Sequence, residues 1–268
     1  MAYNGLSFVF DGIPSEEYGL VLYDLTYSVR TEGMFASPVS IVEDRTAARY
    51  KPLFYGTTQN SPLEFTMTFG ANQQRSNNYK SYDRYDLSVI ASWLTGHNSY
   101  KWLEITQPDM EVVRYKCIIT KLSHIELDLS SWAFSCTVHC DSPFAYTYPE
   151  TITYLVNGTA DFVFRNRSTY NGYYMPKLVI TLDSGYNTFS IINHSDNDRL
   201  FKFTNVPSTP LTITIDNENE VITNSAGLNL YPYFNYNFFR LLRGDNQLEI
   251  SGSASVKIYC EFPMNVGG

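Results

Sequence analysis

Trp132-Ala133-Phe134-Ser135-Cys136-Thr137-Val138-His139-Cys140 alternates apolar with small or polar side chains at every step. Successive side chains of a β-strand point to opposite faces, so this run sets Trp132, Phe134, Cys136, Val138 and Cys140 on one core-facing side. Ala133, Ser135, Thr137 and His139 take the other. The same period recurs upstream. Leu63, Phe65, Met67 and Phe69 alternate with Glu64, Thr66 and Thr68, and Ile125, Leu127 and Leu129 alternate with Glu126, Asp128 and Ser130. The three runs are expected to be adjacent strands of one sheet.

Downstream, the pattern resumes after a stretch rich in Pro and Tyr from Ser142 to Glu150. Leu178, Ile180 and Leu182 alternate, as do Leu211, Ile213 and Ile215, then Leu248 and Ile250, then Val256, Ile258, Cys260 and Phe262. Short strands separated by Asn, Asp and Gly clusters point to a sandwich. Pro143 and Pro149 cannot donate ladder hydrogen bonds, which places a domain junction there, with a first domain over 1–143 and a second over 144–268. One helix is expected near 83–95. Asp83 can cap it, Leu87, Ile90, Ala91 and Leu94 form its apolar stripe, and Gly96 can stop it in a left-handed conformation.

A chain of 268 residues is long for one domain and comfortable for two. Its aromatic content of 16% fits half-buried strands and interfaces better than helices. A net charge of −8 without any basic run argues against a general grip on nucleic acid. No Lys or Arg precedes Arg30, and Asp11, Glu16 and Glu17 interrupt the opening, so no secretory signal is read there. No run approaches the roughly 20 apolar residues of a membrane span. The four cysteines then read as reduced thiols made in a cytoplasm, and Asn157, Asn166 and Asn193 carry no glycan.

The chemistry-bearing candidates each have a plainer reading. Cys136-x-x-His139-Cys140 with Cys117 offers zinc ligands, but alternation turns His139 away from both thiols. Asp216-Asn217-Glu218-Asn219-Glu220 offers alternate oxygens for calcium, yet reads as a hairpin turn, and Asp196-Asn197-Asp198 reads as a loop. Glu43, Asp44, Asp183 and Glu249 are acids from which no glycosidase pair stands out. His97, His124, His139 and His194 are the only histidines, and no G-x-S-x-G elbow, papain-like motif, P-loop or dinucleotide glycine pattern occurs. No catalytic, cofactor or metal residue is therefore assigned. Tyr173, Tyr174, Tyr233 and Tyr236 can stack on sugar rings if exposed, which keeps a carbohydrate-binding adhesion module as the alternative.

Phe8-Val9-Phe10-Asp11-Gly12-Ile13-Pro14-Ser15, followed by Tyr18-Gly19-Leu20, resembles the start of distal tail proteins of long-tailed, non-contractile phages. Further features fall in the same order: the strand Leu63 to Phe69, a helix ending in Trp93-Leu94, a strand around Tyr115, and the junction Cys140-Asp141-Ser142-Pro143-Phe144-Ala145. Met175-Pro176-Lys177-Leu178-Val179-Ile180 is similar to the family's proline-led strand. Ile215-Asp216 with Val221 resembles its hairpin, and Phe239 to Asn246 its Leu-x-Gly-x-Asn turn. Arg243 departs from the pattern, where the family often has Pro, and Tyr231 to Asn237 is longer and richer in aromatics.

The resemblance implies a mainly β chain: a split-barrel or sandwich first domain with one helix, and a galectin-like or carbohydrate-module-like second sandwich. It also implies a ring, usually a hexamer, at the distal end of the tail in the virion. The tail tube lies upstream, the tail-associated hub protein downstream, and the tape measure in the lumen. Receptor-binding parts are anchored outside, where host cell-wall saccharide is within reach. The segment Val29 to Pro62, with Arg30, Arg45, Arg49 and Lys51 among Phe35, Tyr50, Phe54 and Tyr55, resembles a long hairpin suited to contacting neighbours. A net negative chain suits a channel along which DNA slides.

Overall fold

The strand quoted above lies inside a large antiparallel sheet, flanked on both sides. The computed structural model describes residues 6–23, 39–59, 61–71, 82–105, 112–127 and 130–266. They fall into two units, Met1–Thr147 with Met264–Gly268, and Tyr148–Pro263.

In the first unit the strands are β1 (Phe8–Phe10), β2 (Ile13–Pro14), β3 (Leu20–Leu22), β4 (Ser40–Asp44), β5 (Leu53–Thr58), β6 (Glu64–Ala71), β7 (Lys101–Ile105), β8 (Arg114–Leu127), β9 (Ser130–Cys140) and β10 (Ala145–Tyr146). The helix α1 (Arg84–Thr95) joins β6 to β7. The main sheet runs β2-β1-β7-β8-β9-β6-β3. Phe134, Cys136, Val138 and Cys140 are buried on its core face beside Met67 and Phe69 of β6, as alternation requires.

The expectation for Ile125 fails for a local reason. Tyr115, Cys117 and Ile119 face the core, but the register slips between Ile119 and Lys121. One extra residue in a strand inverts every later side chain. Leu122 then packs on the core, whereas Ile125 lies opposite Ala133 and is half-buried. Ala133, expected on the polar side, is buried as well. Leu129 lies outside the described residues.

Asp83 caps α1 as expected, its carboxylate accepting from the Tyr85 and Asp86 N–H groups, while Asp86 returns the bond to the Asp83 N–H. Ile90, Trp93 and Leu94 are buried. Trp93 stacks on Tyr18 and Phe8 and donates its indole N–H to the Phe10 carbonyl at 3.2 Å. Gly96 is not left-handed: its φ is −74°, and its N–H continues the ladder to the Ser92 carbonyl. Glycine is required there by close approach, since a Cβ would collide with that carbonyl oxygen.

The second unit holds β11 (Glu150–Asn166), β12 (Lys177–Leu182), β13 (Phe189–Asn193), β14 (Arg199–Phe203), β15 (Leu211–Asp216), β16 (Val221–Asn224) and β17 (Gly244–Cys260). β17 pairs with β11 along its whole length on one side. On its other side Ala254 to Tyr259 pair with β12 and Leu248 to Ser251 with β13. Gly158 and Gly252 face each other at the midpoint, both at positive φ. A straight strand as long as β11 would hold its ends roughly 55 Å apart. Instead Arg167, just past its end, contacts Glu150 at its start at 2.8 Å, and Tyr154 meets Phe162 at 4.4 Å between ring centroids. The ribbon is therefore folded in half at the glycines, and its halves belong to the two layers of a sandwich. Leu178, Ile180, Leu182, Ile213 and Ile215 fill the core from one layer, and Phe189, Ile191, Phe201, Phe203 and Ile250 from the other. The last strand, β18 (Pro263–Met264), pairs with β10, and Val266 is buried in the core of the first unit.

Candidate assembly surface

β4 and β5 pair with each other and with no other described strand. The turn between them is tied by Arg49 N–H to the Thr46 carbonyl at 3.0 Å. A register slip between Val42 and Glu43 twists the ribbon. Ile41, Val42, Phe54 and Tyr55 stand in solvent, Phe54 at 64% and Tyr55 at 66% exposure. An isolated two-stranded hairpin is marginal in water, and the apolar side chains exposed on this one make it the candidate assembly surface. Arg45 pairs with Glu43 at 2.9 Å and Lys51 lies over Tyr50. Arg30 and Phe35 lie outside the described residues.

The metal-ligand candidates are kept apart. Cys117, Cys136 and Cys140 are buried, whereas the His139 ring lies on the opposite face, 3.1 Å from Glu64. Desolvation pushes the Cys136 and Cys140 thiols up to about 12, and Cys117 higher still. Among the described residues no three His, Cys, Asp or Glu side chains gather around a common point. Asp216 spends both oxygens on Asn219, whose N–H and Nδ2 donate at 3.0 and 2.9 Å, so it is a turn residue with its carboxyl held below the usual range.

The acidic candidates are likewise divided among unrelated partners. Asp183 accepts the Ser253 hydroxyl, Glu249 faces His194, and Glu43 with Asp44 sits on β4. His97 contacts the Trp93 carbonyl and His124 contacts Glu126. Of the aromatic candidates only Tyr173 and Tyr236 are exposed, and Tyr173 is covered by the Arg240 guanidinium at 3.5 Å. Tyr174 points inward against Phe262 and accepts from the Glu261 N–H at 2.9 Å, and Tyr233 is half-buried. The four therefore do not form one stacking platform.

Sequence reading missed the side chains that tie the second unit together. Asn217 is buried, donating to the Pro176 carbonyl and accepting from the Phe239 N–H. Asp196 is an ion-pair partner of Arg240. The segment Tyr231 to Phe239 packs Phe234 on Phe201 and Phe203.

Two family models cover the chain nearly end to end: a phage tail protein N-terminal domain over residues 3–142 and a phage tail C-terminal domain over residues 144–260. The chain belongs to the phage tail protein family. The tail protein's fold is similar to that of the Dit protein of phage SPP1, described as a paradigm of the hub adsorption apparatus in phages infecting Gram-positive hosts. That match has 10% identity and a TM-score of 0.68, covering 96% of this chain and 99% of the other. The resemblance to distal tail proteins thus holds for the fold. Chains of the phage P2 baseplate in its activated conformation align with TM-scores of 0.48, with calcium, and 0.43, with strontium. Their identities are 10% and 12%, over 95% and 90% of this chain and 97% and 90% of theirs. No curated protein sequence matches the chain.

The motifs quoted for the resemblance have physical reasons in this tail protein. The opening motif turns at Asp11-Gly12, both at positive φ, and the buried Ser15 hydroxyl accepts the Phe8 N–H at 3.1 Å. In the Leu-x-Gly-x-Asn turn, the Asn246 amide donates to the Leu242 and Gly244 carbonyls. Its oxygen accepts from the Leu242 N–H and from Asn193. Arg243, next to the turn glycine, donates to Asn171 at 3.0 Å.

Proposed function

We propose that this phage tail protein is the distal tail protein: six copies form a ring that joins the tail tube to the tail-associated hub and anchors receptor-binding parts. The observation that carries the reading is the β4–β5 hairpin, an apolar ribbon with no third strand among the described residues. A ring of identical subunits needs two different complementary patches per protomer. The hairpin supplies one, and the surface of a neighbour's first unit supplies the other. The first domain, 1–143, builds the ring and lines a channel through which tape measure and DNA pass. The second, Tyr148–Pro263, is a galectin-like sandwich turned to other baseplate parts. The role is mechanical and non-enzymatic, carried out in the virion.

Light scattering with negative-stain imaging tests this. The wild-type chain should reach about six times its 30.7 kDa mass and show a ring with a central hole. Ile41→Lys with Phe54→Glu should abolish the ring while leaving the chain folded. A wild-type chain that stays monomeric at every concentration, even with tube and hub proteins added, would overturn the ring.

A further inference from the structure

Unblocked strand edges invite pairing with other chains, and folded proteins usually cover them. Among the described residues the second unit has three edges, β14, β16 and β11. One aromatic segment closes two of them. Asn235 closes β14, its N–H donating to the Lys202 carbonyl, its Oδ1 accepting from the Lys202 N–H and its Nδ2 donating to the Leu200 carbonyl. Tyr231 closes β16, its hydroxyl accepting from the Ile222 N–H and donating to the Glu220 carbonyl. β11 has β17 on one side and no described strand on the other. Its register is unbroken and it contains no proline.

The direction of its backbone groups follows from parity. Asp183 N–H donates to the Ser253 carbonyl at 3.0 Å, so Ser253 points toward β12 and Ala254 toward β11. Gln247 N–H, reaching Ser195 just beyond β13 at 3.0 Å, shows the same parity on the other half. The even residues of β11 therefore bond to β17, and the odd residues aim their N–H and C=O groups at the open edge. Thr159, Asp161, Val163 and Arg165 are those residues in the second half, all with exposed side chains, Val163 at 57%.

We propose that two copies of this protein pair edge to edge, antiparallel, through Asp161 to Arg165 of β11, with Val163 on the twofold axis. Read antiparallel about Val163, the segment is its own complement. Asp161 lies opposite Arg165 of the partner subunit, twice, and Val163 meets its own counterpart. Within one chain Asp161 is set directly against Glu249, a like-charge pair, and Arg165 stands opposite Asp245 at 4.0 Å. The second copy brings a cation to the acidic pair, a favourable cross-strand contact. Moving the axis to Asp161 or to Arg165 would oppose like charges, whereas the axis at Val163 sets both Asp161–Arg165 pairs in register. The contact is isologous, so it joins chains that are not neighbours in one ring.

Disulfide trapping in the full chain tests this, because the four native cysteines are all buried. In a Val163→Cys variant, two thiols at the axis form one interchain disulfide as oxidised glutathione is reduced to two glutathione thiols. The covalent dimer should form roughly tenfold faster than from Thr151→Cys, which lies on the open edge of the strand's other half, far from the axis. In the Val163→Cys background, Asp161→Arg or Arg165→Glu alone should slow trapping, and the two together should restore it. Equal trapping at positions 163 and 151, or failure of the double reversal to restore, overturns the self-pairing and leaves the edge to a strand of another protein.

Discussion

The Arg240 guanidinium grips the Asp196 carboxylate with two hydrogen bonds, Nε to Oδ2 at 2.7 Å and Nη2 to Oδ1 at 3.1 Å. The Asp196 side chain is 3% exposed, and the same guanidinium lies over the Tyr173 ring. Arg240→Ala strands a carboxylate away from water, and should cost about 3 kcal/mol in chemical denaturation. Arg240→Lys should cost less, because it keeps the charge but loses the planar fork and the stacking. A denaturation midpoint unchanged in Arg240→Ala would show that the pair does not hold the 194–198 turn.

Asn246 offers a neutral counterpart. Its amide satisfies three backbone groups of the 242–246 turn and one side chain on β13. Asn246→Ala leaves buried donors and acceptors unmatched, each costing about 1–3 kcal/mol. The second unit should therefore unfold at clearly lower denaturant, while the first unit, followed by Trp93 and Trp102 fluorescence, should be unaffected.

The fold of the long ribbon makes a backbone prediction. Gly252 has φ +141°, and a Cβ there would lie 3.1 Å from the Phe189 ring and 3.2 Å from the Thr188 carbonyl. Gly158, opposite it, has φ +98° and open space around it. Gly252→Ala should destabilise by about 2 kcal/mol, from strain and crowding together, and Gly158→Ala by about half as much. Equal losses in calorimetry would mean that crowding against β13 contributes nothing.

Much of this architecture is legible from period two alone, because each run such as Leu178 to Leu182 has one face in a core and the other away from it. The same period ran through β11, where Ile152, Tyr154, Val156, Ala160, Phe162 and Phe164 occupy even positions, but Asn157 and Gly158 interrupt its apolar rhythm and the strand was not foreseen. Ile125 was misplaced because a bulge five residues earlier leaves no mark in composition. The ties made by Asn193, Asn217 and Asn246 were invisible for another reason. An amide reveals its partner only when the fold brings it in, as Arg240 is brought to Asp196 across 44 positions. The hairpin was expected as an assembly element, whereas the open edge of β11 depends on knowing which other edges Asn235 and Tyr231 close.

The buried thiols predict silence. Cys117 and Cys140 face each other across β8 and β9, Cys136 and Cys260 are likewise buried, and desolvation raises all four. Since the thiolate is the reactive species, an aromatic disulfide reagent should modify none of them in the native protein at neutral pH. All four should react after denaturation. Rapid native reaction of even one would place that strand closer to solvent than its burial allows.

His194 sets a pH dependence whose direction is fixed. Its Nδ1 lies 2.6 Å from Asp198 Oδ1, and its Nε2 lies 3.7 Å from Glu249. The hydrogen bond to Asp198 raises the imidazole above its ordinary 6.5; burial opposes this, and the charges of Asp198, Glu249 and Asp161 add to it. The folded chain thus binds this proton more tightly than the unfolded chain. The stabilisation is fully present below the ordinary value and is lost as pH rises through the raised one. Wild-type protein should therefore exceed His194→Asn in stability at mildly acidic pH, with the gap closing on the alkaline side, and Asp198→Asn should remove most of that slope. The gap should also shrink in high salt, because the cluster is exposed to solvent. A wild-type minus variant difference that stays constant from about pH 5.5 to about pH 8.5 would mean that the imidazole does not titrate against this acidic cluster.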